Sequence, residues 1–156
     1  IVDNNFLNND YPSIVIQSKS KAKIWSNKIS GNKINGISLR DAAEVFIEKT
    51  EIEDVDECGI SISDTEKAVI SNSSISDCRI TGIESYNKSF VYVFNNKISS
   101  IGKHAFLAYT SGYIKAYENS ISKIGLSMAK LVFKGTGEFT KNSVKDCQKQ
   151  CECLTS

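Results

Sequence analysis

Two aspartates, Asp41 and Asp64, occupy the same place in two consecutive copies of a repeated stretch, and Asn87 occupies it in the next copy. If the copies stack, the two carboxyl groups lie about 5 Å apart, the separation at which retaining glycosidases hold their catalytic pair. The competing interpretation is that Asp and Asn stand there because a turn follows, as they do at turns generally. We favour the turn, because the copies have equal lengths and none carries an insertion that would wall a cleft.

A second group of candidate residues is aromatic and lies in the middle strand of two consecutive copies. By alternation these side chains point away from Val91, Val93, Ile114 and Ala116, so they are expected to be exposed. An exposed patch of this kind is typical of an interface with a protein partner or with a flanking segment of the same protein. A flat aromatic platform for sugar rings is the alternative. The residues are Phe90, Tyr92, Phe94, Tyr113 and Tyr117.

Histidine and cysteine chemistry is limited. His104 is the only histidine, and we interpret it as a polar corner residue, because a serine or cysteine triad cannot be assembled without a second one. Cys147, Cys151 and Cys153 follow a C-x3-C-x-C spacing in which a disulfide is conceivable, whereas a metal site lacks a fourth ligand. We therefore predict neither a metal nor a cofactor. The odd count of 5 cysteines, with Cys78 predicted to be buried, favours a reducing compartment.

The elements that must position these residues come from an internal repeat of about 23 residues. Residues 37–59 and 60–82 show it most clearly: each opens on Ile-x-Ile/Leu and closes on Gly. The frame extends along the chain without an insertion, and its sixteenth position is always apolar. That position reads Phe6, Ile29, Ile52, Ile75, Ile98, Ile121 and Val144.

Each copy contains apolar alternation typical of two short strands, with a third strand around the sixteenth position. A single copy can bury nothing, whereas stacked copies pair each strand with its equivalent about 4.8 Å away. We therefore predict an all-β, right-handed parallel β-helix of about six coils with three short strands per coil. At the fourteenth position, Asn96, Asn119 and Asn142 are expected to form a ladder of amide hydrogen bonds.

The unit "G-I-x-(I/L)…I…N-x-I…G", seen in Gly36-Ile37-Ser38-Leu39 and Asn96-Lys97-Ile98, resembles the right-handed parallel β-helix of the pectate-lyase-like superfamily. It is most similar to the carbohydrate-binding and sugar-hydrolase repeat type also found in F-box-only proteins. The resemblance covers nearly the whole chain and implies the fold. It does not imply one function, because the superfamily includes polysaccharide lyases and hydrolases, phage tailspikes and non-enzymatic binding modules.

The predicted organisation is a partial coil at 1–13 and a tail at 152–156, and we expect the chain to be an excerpt of a longer protein. The frame also predicts that Gly137 and Glu138 interrupt a strand in the last coil. The net charge of +1 gives no steering towards nucleic acid, and no apolar run approaches the ~18 residues of a membrane span.

The predicted function is a non-catalytic, intracellular binding or scaffold module, cytoplasmic or cytoskeletal. The alternative is a secreted carbohydrate-active β-helix that uses Asp41 and Asp64. The full coils are 14–36, 37–59, 60–82, 83–105, 106–128 and 129–151.

Overall fold

The computed structural model describes the backbone of residues 1–154 and the side chains of residues 1–152, and this part of the chain contains 18 strands. The first nine are β1 (Asn5–Leu7), β2 (Ile14–Gln17), β3 (Lys21–Trp25), β4 (Lys28–Asn32), β5 (Ile37–Arg40), β6 (Glu44–Glu48), β7 (Glu51–Val55), β8 (Cys58–Ser63) and β9 (Lys67–Ser71). The next nine are β10 (Ser74–Cys78), β11 (Thr81–Tyr86), β12 (Phe90–Phe94), β13 (Lys97–Ile101), β14 (His104–Tyr109), β15 (Tyr113–Tyr117), β16 (Ser120–Val132), β17 (Thr136–Thr140) and β18 (Ser143–Leu154).

The strands stack in parallel into three faces, and each full coil contributes one strand to each face. The first face contains β2, β5, β8, β11, β14 and the second half of β16; the second contains β3, β6, β9, β12, β15 and β17. The third contains β1, β4, β7, β10, β13 and the first half of β16. Because β16 runs around a corner and β18 follows it, the first and third faces are hydrogen-bonded into one sheet. The predicted parallel β-solenoid with three strands per coil is confirmed.

The core is a set of columns in which each inward side chain lies on its equivalent in the next coil. The sixteenth position is fully buried through the middle of the chain and half-buried at Phe6 and Val144. The first position shows the same arrangement, and its largest member, Phe106, packs against Phe139 with ring centroids 5.7 Å apart. Apolar burial in unbroken columns is the main stabilising contribution in such a stack.

The corners of each coil are made by residues with left-handed backbone conformations. Most of these residues fall at the fifth, thirteenth and eighteenth positions of the repeat, and Lys19, Ser111 and Lys134 add the sixth position in three coils, with φ between 48° and 72° throughout. Few of them are glycine, so Asp and Asn supply many of the corners, as their tolerance of this conformation allows. The fifth position contains Ser18, Asp41, Asp64, Asn87, Thr110 and Phe133.

The predicted asparagine ladder is present at the fourteenth position. Asn96 Nδ2 donates to Asn119 Oδ1 at 3.1 Å, and Asn119 Nδ2 donates to Asn142 Oδ1 at 2.9 Å. Where the column contains Ser73, its hydroxyl instead accepts from the backbone N–H of Thr50 at 3.1 Å. The side chains of this column form hydrogen bonds with buried backbone N–H and C=O groups at a corner, where these groups have no partner in a neighbouring strand.

The last coil departs from the frame in two ways. Cys147 pairs with Ile124 as the frame predicts, but Cys151 pairs with Ala129, so this coil is one residue shorter than the others. The strand β18 therefore continues through Glu152 to Leu154, where the frame places a tail from 152 to 156; residues 155–156 lie outside the described residues. Gly137 and Glu138 do not interrupt a strand, because both pair with β15.

The described chain has no helix with the length and apolar character that a membrane crossing needs.

Candidate functional site

Asp41 lies at an exposed corner, with φ of 53°, as the turn interpretation expects. Its carboxylate Oδ1 is 2.9 Å from the Nζ of Lys19, and the same ammonium lies 3.2 Å from Glu66 Oε1. All three side chains are more than half exposed. An exposed network of this kind contributes little to stability, and it pairs Asp41 with a lysine at the neighbouring corner of the preceding coil.

Asp64 occupies the same corner one coil later, with φ of 49°. Its Oδ2 accepts a hydrogen bond from the Ser63 hydroxyl at 2.7 Å and another from the Asn87 amide at 2.8 Å. These two bonds, the Ser63 bond first, lower the pKa of the Asp64 carboxyl below its usual value. The group therefore stays ionised near neutral pH, whereas a glycosidase acid must carry a proton.

The aromatic residues predicted to face outward do so, and they form one surface, which we call the aromatic face, on β12 and β15. Phe90 is 50 % exposed and the other four side chains are half-buried. Neighbouring rings pair across the strands: the Phe94 and Tyr117 centroids are 5.2 Å apart with planes 10° from parallel, and Phe90 and Tyr113 are 5.8 Å apart at 46°. The aromatic face is defined by Phe90, Tyr92, Phe94, Tyr113 and Tyr117.

Two charged pairs accompany the rings of the aromatic face, one at its border and one that begins within it. On one side, Lys67 Nζ lies 2.9 Å from Glu44 Oε1 and 5.2 Å from the centre of the Phe46 ring. Lys115 lies within the aromatic face, between Tyr113 and Tyr117 on β15, and its Nζ is 2.8 Å from Glu138 Oε2 on β17. The surface therefore combines aromatic rings with charged groups, and protein interfaces contain both kinds of contact.

A groove on the first face was not predicted from the sequence. It has a volume of about 740 Å³, within the range of small-molecule pockets. Its floor crosses three consecutive rungs, β11, β14 and β16. Apolar side chains make up most of the lining, and two lysines and two small polar groups complete it. The lining residues are Ile80, Thr81, Lys103, His104, Leu107, Tyr109, Leu126, Lys130, Val132 and Phe133.

His104 belongs to the lining of this groove and is not the corner residue that we expected. It lies within β14 and is only 5 % exposed, with Nδ1 2.7 Å from the Ser127 hydroxyl. Burial lowers the pKa of the imidazole, and the charge of Lys130 adds to the effect. The ring is therefore neutral near pH 7, and among the described residues no partner is found for its other nitrogen.

Thr81 precedes His104 in the same column and is fully buried. Within the described part of the chain its hydroxyl has no hydrogen-bond partner, whereas the other fully buried side-chain polar atoms have one. An unpaired buried hydroxyl is uncommon, because desolvation without a compensating bond costs about 1–3 kcal/mol. Thr81 and His104 therefore place two incompletely bonded polar groups on adjacent rungs at the edge of the groove.

A signal for the groove exists in the sequence, although alternation alone does not reveal it. The fifth position contains small polar residues in five coils and Phe133 in the last. The twenty-second position changes from Asn35 and Cys58 to Thr81, His104 and Ser127. The bulky residue in the corner column and the change to His104 in the twenty-second column both fall where the groove lies.

The cysteines behave mainly as buried apolar residues. Cys58 and Cys78 are buried free thiols, and burial raises the pKa of the Cys78 thiol to about 12. Cys147 is a half-buried free thiol, and burial raises its pKa as well. Whether Cys153 pairs with Cys151 depends on a side chain outside the described residues. Among the described side chains no group of three or more His, Cys, Asp or Glu residues could hold a metal ion.

Comparison with known proteins identifies the fold family. Residues 1–121 match the family described as a right-handed beta helix region, which is more than two thirds of the chain. None of the curated proteins compared with the chain is significantly similar to it. The matched region includes β1 to β15 and the start of β16, hence most of the repeat, the asparagine column as far as Asn119, and the aromatic face. The chain belongs to the right-handed β-helix family.

Proposed function

We propose that this β-helix is a non-catalytic binding module that holds a protein partner, or a flanking segment of its own protein, on the aromatic face. The observation that carries the proposal is the register of the five rings, which are aligned on β12 and β15 with Lys115 among them and the Lys67–Glu44 pair beside them. Aromatic residues are enriched at the centres of protein interfaces, where they bury a large area for few rotatable bonds. The five rings already point outward on the second face, so no backbone movement is needed before a partner can contact them.

The packing of the rings favours a protein over a sugar. Phe94 and Tyr117 stack face to face along the solenoid axis, so each ring covers a face of the other and presents an edge to solvent. A sugar-binding platform needs an open ring face for the apolar side of a pyranose. Ring edges and tyrosine hydroxyls suit the mixed apolar and polar contacts of a protein surface.

The alternative function is a carbohydrate-active β-helix, a polysaccharide hydrolase or lyase. The repeat's resemblance to the carbohydrate-binding and sugar-hydrolase type, and the place of Asp41 and Asp64 one coil apart, favour it. The ion pair of Asp41 and the lowered pKa of Asp64 speak against it, because neither feature supplies a proton donor. The purified chain is incubated with a panel of polysaccharides. Cleavage by the parent chain that is lost in both Asp41→Asn and Asp64→Asn would establish the alternative.

Location and partners follow from the same proposal. Buried free thiols at Cys58 and Cys78 fit a reducing, intracellular compartment, either cytoplasmic or cytoskeletal. The net charge of +1 gives no field that would attract nucleic acid, and we propose neither a nucleic acid nor a membrane as the partner. Fractionation of the source cells, followed by detection of the chain, tests the location.

Site-specific photocrosslinking tests the proposed face. A photoreactive phenylalanine is placed at Tyr92, and, as a control, at Ser99 on the third face, and both proteins are exposed to an extract of the source cells. We expect a defined crosslinked protein from Tyr92 alone, whose affinity for the purified chain falls at least tenfold in Phe90→Ser and Tyr92→Ser. Equal crosslinking from both positions, or unchanged affinity in both variants, would exclude the aromatic face as the contact surface.

A further inference from the structure

The groove on the first face is separate from the aromatic face. Its floor is formed by outward side chains of three rungs: Thr81 on β11, then His104, Leu107 and Tyr109 on β14, then Lys130 and Val132 on β16. These rungs are about 4.8 Å apart, so the floor extends roughly 10 Å along the solenoid axis. Ile80, Lys103 and Leu126 form one wall and Phe133 forms the other.

The groove exposes apolar surface that the remainder of the fold does not need. Leu126 and Phe133 are 42 % and 65 % exposed, respectively, and Leu107, Tyr109 and Val132 are half-buried between them. Exposed leucine and phenylalanine on opposite walls of one concave surface are characteristic of a binding site and contribute little to the core.

The conformation of Phe133 adds a second, independent observation. It has φ of 48°, and Lys134 follows with φ of 66°. A left-handed conformation costs an ordinary L-residue roughly 1–2 kcal/mol, and it is least expected for a bulky side chain. Small polar residues occupy this corner in the other coils, so Phe133 places an apolar ring over the groove at a cost to stability. Strained residues of this kind are concentrated at ligand sites.

The two lysines of the lining lie on the last two of the three rungs of the groove. Lys103 is exposed and makes no ion pair within the described residues, and Lys130 lies 4.0 Å from Glu152, a long and weak pair. The column that contains Lys130 also contains Glu84 two rungs earlier, with Leu107 between them. Glu84 accepts a hydrogen bond from Ser61 at 2.6 Å, and it gives the opposite end a negative charge. An anionic group therefore fits only at the lysine end.

We propose that this groove binds an amphipathic organic anion, a small molecule with an alkyl or aryl body and one acidic group. The body lies over Leu107, between Leu126 and Phe133, and the acidic group lies between Lys103 and Lys130. Such a group competes with Glu152 for Lys130.

Fluorescence titration with 8-anilinonaphthalene-1-sulfonate tests the proposal. We expect a saturable signal with one site per chain, displaced by dodecanoate at a concentration at least tenfold lower than by dodecanol, which has the same chain without the charge. The Phe133→Asn variant should keep the fold, because Asn occupies this corner at Asn87, and should weaken the probe's affinity at least tenfold. Val15→Asn, an exposed apolar residue on the same face but distant from the groove, is the matched control.

The double variant Lys103→Ala/Lys130→Ala tests the charge. It should weaken dodecanoate at least tenfold and leave the weaker displacement by dodecanol unchanged. Three results would each overturn the proposal: a signal that does not saturate, equal displacement by dodecanol and dodecanoate in the parent chain, and an affinity in Phe133→Asn equal to that in Val15→Asn.

Discussion

Asn119 stabilises the corner of its coil by connecting three neighbouring coils. Its carboxamide oxygen accepts from the backbone N–H of Asn96 at 2.9 Å, and its Nδ2 lies 3.0 Å from the carbonyl oxygen of Val93 and 3.1 Å from that of Tyr117. The side chain is 2 % exposed, so water cannot replace these bonds. A single side chain therefore satisfies buried backbone groups that no strand reaches.

Replacing this side chain tests the ladder. We predict that Asn119→Ala lowers the free energy of unfolding by about 3 kcal/mol, because several buried polar groups lose their only partner. Asn119→Ser should lose less, since Ser73 performs part of the same role in another coil. Urea unfolding followed by circular dichroism gives the values, with Ser99→Ala as the control. A loss in Asn119→Ala no larger than in the control would show that the ladder is dispensable.

The carboxyl group of Asp64 gives a prediction about pH. Because its folded pKa is lowered, its contribution to stability is present above the unfolded pKa, near 3.9, and is lost as the pH falls through the folded value. Ser63→Ala removes the hydroxyl that donates to it at 2.7 Å, so we predict that this variant raises the Asp64 pKa towards the unfolded value. Carbon-detected NMR titration measures both. An Asp64 pKa above the usual value of an aspartate in the parent chain would contradict the assignment and favour the acid role in the enzyme alternative.

At the scale of single residues, the sequence predicts what repeats and misses what does not. The asparagine column and the turn role of Asp41 and Asp64 could be predicted, because each residue recurs one coil later. The groove could not, because it depends on Phe133 in a left-handed corner and on His104 beneath neighbouring side chains. A lone histidine in a sequence carries no information about which column it joins.

At the scale of elements, β12 and β15 are paired strands whose outer side chains form rows of rings. We predict that the Phe94 and Tyr117 rings are coupled by about 0.5–1.5 kcal/mol in a double-mutant cycle of Phe94→Ala and Tyr117→Ala, because they stack at 5.2 Å. Urea unfolding of the four proteins measures the coupling. Phe94 and Phe46 are two rungs apart and serve as the control, and they should be additive within about 0.5 kcal/mol. Additive losses for Phe94 and Tyr117 would show that the rings do not stabilise one another.

The positions of the strands were predicted more accurately than the points at which one strand continues into the next. Alternation by two predicts two strands of each coil and the apolar sixteenth position indicates the third, but neither pattern shows that β16 continues from the third face onto the first. The chain bends at Gly125, where an added Cβ would collide with the carbonyl oxygen of Gly102 in the preceding coil, and the pairing of β16 with β18 shifts register between Ile124 and Ser127. The shortening of the last coil by one residue was missed for a related reason: Val144 and Cys147 keep the frame up to the corner where the residue is lost.

At the scale of the whole molecule, each coil is supported only by the coils beside it. Core side chains of the central coils, such as Ile52, Ile75 and Ile98, are at most 1 % exposed, whereas Phe6 and Val144 are half-buried. In the 156-residue chain, we predict that amide hydrogen exchange is slowest in β7, β10 and β13 and faster in β1 and β18. Mass spectrometry of the exchanged protein resolves these segments. Uniform protection from β1 to β18 would mean that the solenoid opens only as a unit.

The left-handed corners also determine how freely this protein can change. Asn and Asp tolerate such corners well, but many of them contain lysine, serine, threonine or glutamate, among them Lys49, Glu118 and Lys141. Each is a place where Asn or Gly would relieve strain without altering a face of the solenoid, which leaves the sequence well below the stability that its own fold permits. Evolution can therefore compensate at a corner for a destabilising change elsewhere. Destabilising substitutions that create a new binding surface on any of the three faces can therefore be tolerated, as long as corners remain at which Asn or Gly would add stability.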